Sequence, residues 1–153
     1  FGILGPCGYD IGNVIANLIF AYVNGIAYEK HEFTDWILKS VEEVIDLFIK
    51  KYNKYYDEWV SEPMAKVEGF KEYYLDGILK DTAGFTGTEL HRRTVGMANV
   101  TDVTTIADEK KRLIAERINI LAGKEFILKA KSFKSGKDYV DTILNCRALA
   151  EEL

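Results

Sequence analysis

The run Val14-Ile15-Ala16-Asn17-Leu18-Ile19-Phe20-Ala21-Tyr22-Val23 constrains the fold more than any other stretch of the chain. A helix apolar on most sides must be covered on most sides, so other helices have to pack round it. Immediately before it stands Gly5-Pro6-Cys7-Gly8-Tyr9-Asp10-Ile11-Gly12, whose first half reads as a tight Gly/Pro turn. Asp10 falls where a helix N-cap belongs, with a carboxylate able to accept from the free N–H groups of the first turn. Ile11, Val14, Ile15, Leu18, Ile19 and Tyr22 keep helical spacing and predict a helix from Asp10 to about Tyr28. The apolar run itself is shorter than the roughly 20 residues needed to span a bilayer.

The remaining signals are also helical. Ile37, Val41, Val44, Phe48, Tyr52, Tyr55 and Trp59 step by three or four, predicting a helix from Thr34 or Asp35 to Val60. The aromatic members of that series read as core packing, and Asp46 with Lys50 as a supporting i,i+4 pair. Pro63 suits the first turn of a third helix, with Val67, Phe70, Tyr74 and Ile78 on one face and Gly84 as its stop. Thr86-Gly87-Thr88-Glu89 has the form of a capping box opening a short helix over Gly87 to Ala98. Val100 to Ile106 reads as a linker. Asp108 can cap a fifth helix to about Lys131, with Leu113, Ile114, Arg117, Leu121 and Leu128 on or beside its inner stripe. Ser135, with Asp138 three residues on, can cap the last helix, with Val140, Ile143, Leu144 and Leu149 as its apolar face. The prediction is an all-α chain, 1–153 as one domain, with about six helices packed round the helix starting at Asp10.

A net charge of −4 without a basic cluster argues against a nucleic-acid or membrane surface. Cys7 and Cys146 lie far apart in an acidic chain, as reduced, packed thiols of a cytoplasmic protein do. There is no Walker-type loop, H-E-x-x-H, C-x-x-C or G-x-S-x-G motif, and His31 and His91 lack partners at metal-ligand spacing. No metal ligand is therefore assigned, and both histidines read as surface or hydrogen-bonded structural residues.

One constellation stands out. Arg92 and Arg93 follow the turn Gly84-Phe85-Thr86-Gly87 on the short predicted helix. Adjacent helical residues point about 100° apart, and both guanidiniums can still reach one anion beside the helix edge. Glu89, four residues before Arg93, offers that arginine a surface ion pair, which is the favoured reading of its spacing. Arg92 has Thr88 and Gly96 at its i−4 and i+4 positions, and its role stays open. Asp10 needs no role beyond that of a cap.

Two separated segments then resemble one family. Gly5-Pro6-Cys7-Gly8-Tyr9-Asp10-Ile11-Gly12 with Val14-Ile15-Ala16-Asn17-Leu18 is similar to the stretch after the metal-binding acidic motif of methylthioribose kinases. Asp81-Thr82-Ala83-Gly84-Phe85-Thr86-Gly87 with Arg92-Arg93-Thr94-Val95-Gly96-Met97-Ala98 resembles the family's tandem-arginine segment. Cys7 stands where that family carries a methionine.

The resemblance implies an enzyme related to aminoglycoside phosphotransferases and choline kinases. Such an enzyme transfers phosphate from ATP, with Mg2+, to the 1-hydroxyl of 5-methylthioribose in methionine salvage. It implies the helical C-terminal part of a protein-kinase-like large lobe, with Arg92 and Arg93 approaching the sugar and the phosphoryl group. Asp10 would support the catalytic loop by holding its backbone N–H groups. The catalytic aspartate, the ATP lobe and the metal-binding acids would lie upstream of what matches Phe1. The chain alone is then expected to carry no catalytic residue, to bind neither ATP nor Mg2+, and to be inactive. Its expected partners are the N-terminal kinase lobe or a second copy, through apolar surface left on the first helix. The alternative is a non-catalytic helical binding or scaffold module that keeps a kinase-derived fold.

Overall fold

The computed structural model describes residues 6–153. Gly5, the first residue of the Gly/Pro turn, lies outside the described residues. Six α-helices follow one another among them: α1 (Cys7–Ala27), α2 (His31–Trp59), α3 (Phe70–Thr94), α4 (Thr101–Thr104), α5 (Glu109–Leu128) and α6 (Gly136–Glu152). Short 3-10 turns occupy Pro63–Lys66 and Ala130–Ser132. The all-α prediction holds for this region.

The central helix is the one the apolar run predicts. Ile15, Ala16, Ile19, Phe20 and Val23 are all fully buried. By length and composition alone α1 is apolar enough to cross a membrane, a weak sign that a core helix also gives. Here it packs against α2, α3, α4 and α5.

Its start differs from the sequence reading. The helix already begins at Cys7, with Pro6 at the N-cap, and no side chain caps it. Asp10 is therefore not the cap but an exposed residue of the first turn, where its charge complements the helix dipole.

The largest correction concerns α3. Gly84 does not stop it, and Thr86 does not cap a new helix. One helix runs from Phe70 to Thr94, and the residues assigned to a separate short helix form its last turns. The Thr86 hydroxyl instead lies 2.8 Å from Thr82 O, one turn back, and 3.2 Å from Gly12 O on α1. The helix passes Gly84 because packing on both sides outweighs a local penalty of about 1 kcal/mol. Pro63 opens only the 3-10 turn. Gly69, at φ 81°, takes a left-handed conformation that separates this turn from α3.

Asp108 caps α5, accepting from Lys110 N and Lys111 N. Ser135 and Asp138 form the capping box of α6. The inner faces of both helices are only partly the ones predicted, with Ile114, Leu121 and Val140 packed against the core. On α5, Ala115, Ile118, Asn119, Ala122 and Phe126 are buried, whereas Leu113 and Leu128 are exposed. On α6 Ile143 is buried as expected, but with Tyr139, Cys146 and Ala150, leaving Leu144 and Leu149 outside. Ala115, Ala122 and Ala150 take places that Leu113, Leu128 and Leu149 do not, beside the buried Phe126 and Tyr139. Val100, Val103 and Ile106 are likewise core residues around α4, not a solvated linker.

Asp46 does not pair with Lys50. Its Oδ1 accepts from Gly136 N at 2.8 Å, joining α2 to the start of α6. Cys146 is buried as expected, and burial pushes its thiol up to about 11. Cys7 is free and exposed rather than packed.

Candidate functional site

Gly8 and Gly12 are one helical turn apart on α1, and both face α3. A Cβ on Gly8 would lie 2.7 Å from Thr82 N, and one on Gly12 would lie 2.8 Å from Thr82 O. On the opposite side of α3, a Cβ on Gly87 would lie 2.5 Å from Gly123 O of α5. Helix α3 is thus held between α1 and α5 by backbone-to-backbone approaches that no larger residue permits. This brings the two sequence segments singled out above into contact, although about seventy residues separate them.

The tandem arginines lie at the end of this sandwiched helix. Arg92 donates through Nε and Nη2 to the two carboxylate oxygens of Glu89, each at 2.8 Å. The pair sits at i,i+3, a spacing the sequence argument did not weigh. That hydrogen-bonded pairing, with its charge attraction, raises the Arg92 pKa further. Arg93 Nε is 3.8 Å from Glu89 Oε1, too far for a hydrogen bond, and this buried atom has no other partner among the described residues. Glu89 therefore serves both arginines, and the cluster keeps one net positive charge. Glu89 is the residue the sequence reading underused.

Tyr9 completes the edge. Its ring meets Phe85 edge-on at 5.3 Å between centroids. Phe85, Glu89 and Arg92 follow i, i+4, i+7 and so share one face of α3. Asn13 and Asn17 continue the Tyr9 row along α1 at four-residue intervals, each amide donating to the carbonyl one turn before it. Tyr9, Asn13 and Asn17 were given no role of their own from the sequence, where their regular spacing was the available signal.

Asp10 is next to Tyr9 but does not join the arginine cluster through any hydrogen bond or ion pair among the described residues. It lines a shallow apolar groove with Ile11, Val14, Val44, Leu47, Phe48 and Lys51. His91 is structural, its Nε2 lying 3.0 Å from Ile120 O of α5, with which it bonds as donor. A larger cavity of about 640 Å³ opens elsewhere, between the start of α1 and Tyr73, Tyr74, Ile78 and Lys131. It contains neither arginine.

The cluster suits an anion held by guanidinium forks. Among the described residues no three His, Cys, Asp or Glu side chains come together as a metal site.

No family model matches the chain. Individual curated proteins do. A methylthioribose kinase of Yersinia pseudotuberculosis serotype O:1b is 33% identical over 134 residues, which is 85% of this chain and 33% of that protein. Those of Geobacillus sp. WCH70 and Bacillus pumilus are each 32% identical, over 90% and 92% of this chain and 34% of their own lengths. The chain is homologous to part of the methylthioribose kinases. It spans about a third of the length of these relatives.

Proposed function

We propose that the chain is the C-terminal helical part of an ATP-dependent kinase that phosphorylates the 1-hydroxyl of 5-methylthioribose. The observation that carries this reading is identity of 32–33% to methylthioribose kinases across 85–92% of the chain. The packing of its two motif segments into one edge supports it further. The chain forms one helical domain in a large lobe. The ATP lobe, the catalytic aspartate and the Mg2+ ligands belong to the remainder of the protein, which is the chain's first partner. The setting is cytoplasmic methionine salvage.

In the transfer, the sugar hydroxyl gives its proton to the catalytic aspartate of the remainder as its oxygen bonds to the γ-phosphorus and the bond to the ADP oxygen breaks. Charge on the moving phosphoryl group is then stabilised by positioned cations. Arg92 and Arg93 are the candidates in this chain. Glu89 presents Arg92 fully ionised and oriented, with Nη1 free of hydrogen bonds among the described residues. Arg93 makes no side-chain hydrogen bond to Glu89, and with its Nε buried the capacity it offers an anion lies with its Nη atoms. Asp10 serves the catalytic loop by position, from the first turn of α1 rather than from its cap.

The test is the complete enzyme with Arg92→Ala and Arg93→Ala together. Turnover of methylthioribose is expected to fall about 100-fold or more, with thermal stability unchanged. Unchanged turnover would make both arginines plain surface residues. Phosphorylation of a different alcohol by the unmutated enzyme would remove the substrate assignment, and robust turnover by the 153-residue chain alone would remove the proposed division of labour. A second reading, a binding module without chemistry, draws on the exposed aromatic surface of Tyr55, Trp59 and Tyr73.

A further inference from the structure

The turn that carries the tandem arginines is the last of α3, and a helix end frays unless something outside the helix holds it. Three contacts do so here. Arg93 O accepts from Val100 N at 3.2 Å, where the chain turns back towards α4. His91 Nε2 bonds to Ile120 O of α5. Asn119 Nδ2, also on α5, donates to Thr94 Oγ1 at 3.3 Å. The first is a backbone contact and the second lies at the surface. The third comes from a fully buried polar side chain, and Asn119 Oδ1 has no partner among the described residues.

Such a residue costs stability, because a buried acceptor without a hydrogen bond has lost its water and gained nothing. Its neighbours one turn away on α5, Ala115, Ala122 and Gly123, are buried without any such group. What the amide adds is direction. The close approach of Gly87 to Gly123 O sets how near α3 and α5 lie, but a van der Waals contact does little to fix rotation about the helix axis. A directed hydrogen bond from Asn119 to Thr94 does fix it. Arg92 and Arg93 are the two residues just before Thr94, so any rotation of this turn moves both guanidiniums together. Misplacing a catalytic group by about 1 Å can cost on the order of 100-fold in rate.

We propose that Asn119 is a positioning residue for phosphoryl transfer, holding the arginine turn of α3 through Thr94. Its effect on turnover rests on the kinase reading; the anchoring of the turn is measurable without it. In the complete enzyme, Asn119→Leu keeps the branched shape and removes the amide. Its kcat for methylthioribose should fall about tenfold with KM changed by less than about twofold, as for an interaction felt only in the transition state, while the thermal midpoint holds or rises. Thr94→Val should reproduce that loss, and Thr94→Ser, which keeps the hydroxyl, should recover most of it. In an enzyme already carrying Arg92→Ala and Arg93→Ala, Asn119→Leu should lower kcat no further. Amide hydrogen exchange over residues 91–95, read by mass spectrometry, should quicken about tenfold in Asn119→Leu. An undiminished kcat in the folded Asn119→Leu enzyme overturns the proposal. So does an equal loss in the enzyme without the arginines, which would make Asn119 part of the general core. If Asn119→Leu does not fold, Thr94→Val decides by the same measures. An unmutated enzyme that ignores methylthioribose removes the kinase reading alone; exchange over 91–95 then decides, faster exchange supporting the anchor and unchanged exchange overturning it.

Discussion

Helix α3 contains two regions of opposite character. From Ile78 to Leu90 it is clamped between α1 and α5, with Thr82, Ala83, Thr86 and Leu90 fully buried. From Phe70 to Gly77 it belongs, with the second half of α2, to an arm where aromatic residues are plentiful and none is buried. The clamped region is poor in bulk and rich in small residues, yet it positions Glu89, Arg92 and Arg93. The arm has the bulk and no core. The small residues of the clamped region are buried where backbones approach closely, and the aromatic residues of the arm stay at the surface, unlike Phe20, Phe126 and Tyr139 in the core.

Substitutions at single positions can break that contrast. Gly87→Ala places a methyl group 2.5 Å from Gly123 O, in a contact that flexible side chains cannot relieve. A loss of about 3 kcal/mol is expected in chemical denaturation, the upper range for overpacking. A change below about 1 kcal/mol would mean the two helices slide apart freely.

Asp138→Asn should cost about 1 kcal/mol, the usual value of an N-terminal cap. Burial works against ionisation of the Asp138 carboxyl, but hydrogen bonds from Lys134 N and from Ser135 together hold its pKa below the ordinary value. Because the folded-state pKa is the lower one, its contribution is complete above the unfolded value near about pH 4 and disappears as pH falls through the folded value. Denaturation midpoints measured down that range should converge for the two proteins; a constant gap would refute the cap's ionic character.

Gly84→Ala probes the same helix where nothing crowds it, since a Cβ there would meet no atom within 4 Å. A gain of about 0.5–1 kcal/mol is expected from helix propensity alone. Destabilisation at this position would show that α3 needs flexibility near its centre. The smallest effect belongs to the arm. Trp59→Ala should change the chain's unfolding free energy by less than about 0.5 kcal/mol, as for other exposed positions. A larger loss would place Trp59 in the folded core after all.

Much of the fold was legible in particular residues. Asp108 and the Ser135–Asp138 pair cap helices as their spacing predicts, and the apolar run of α1 is buried as its composition requires. At the candidate site the sequence singled out Arg92 and Arg93, and it placed Glu89 beside Arg93 alone. It also took Asp10 for a cap, because nothing local shows that Pro6 already turns the chain into a helix. Tyr9 was passed over, since its partner Phe85 is distant in the chain.

By itself, the sequence determined that the chain is helical, where α5 and α6 begin, and that α1 lies at the centre. Those are short-range matters of capping and periodicity, set by residues within a turn or two of one another. Only the tertiary structure decided that Gly84 lies inside a helix while Gly12 and Gly87 mark its contacts. It also decided that small residues line α5, and that the tandem arginines share one carboxylate beside Tyr9. The physical reason is common to all of these. A glycine's effect depends on what stands opposite it, and that distance is set by helices far away in the chain.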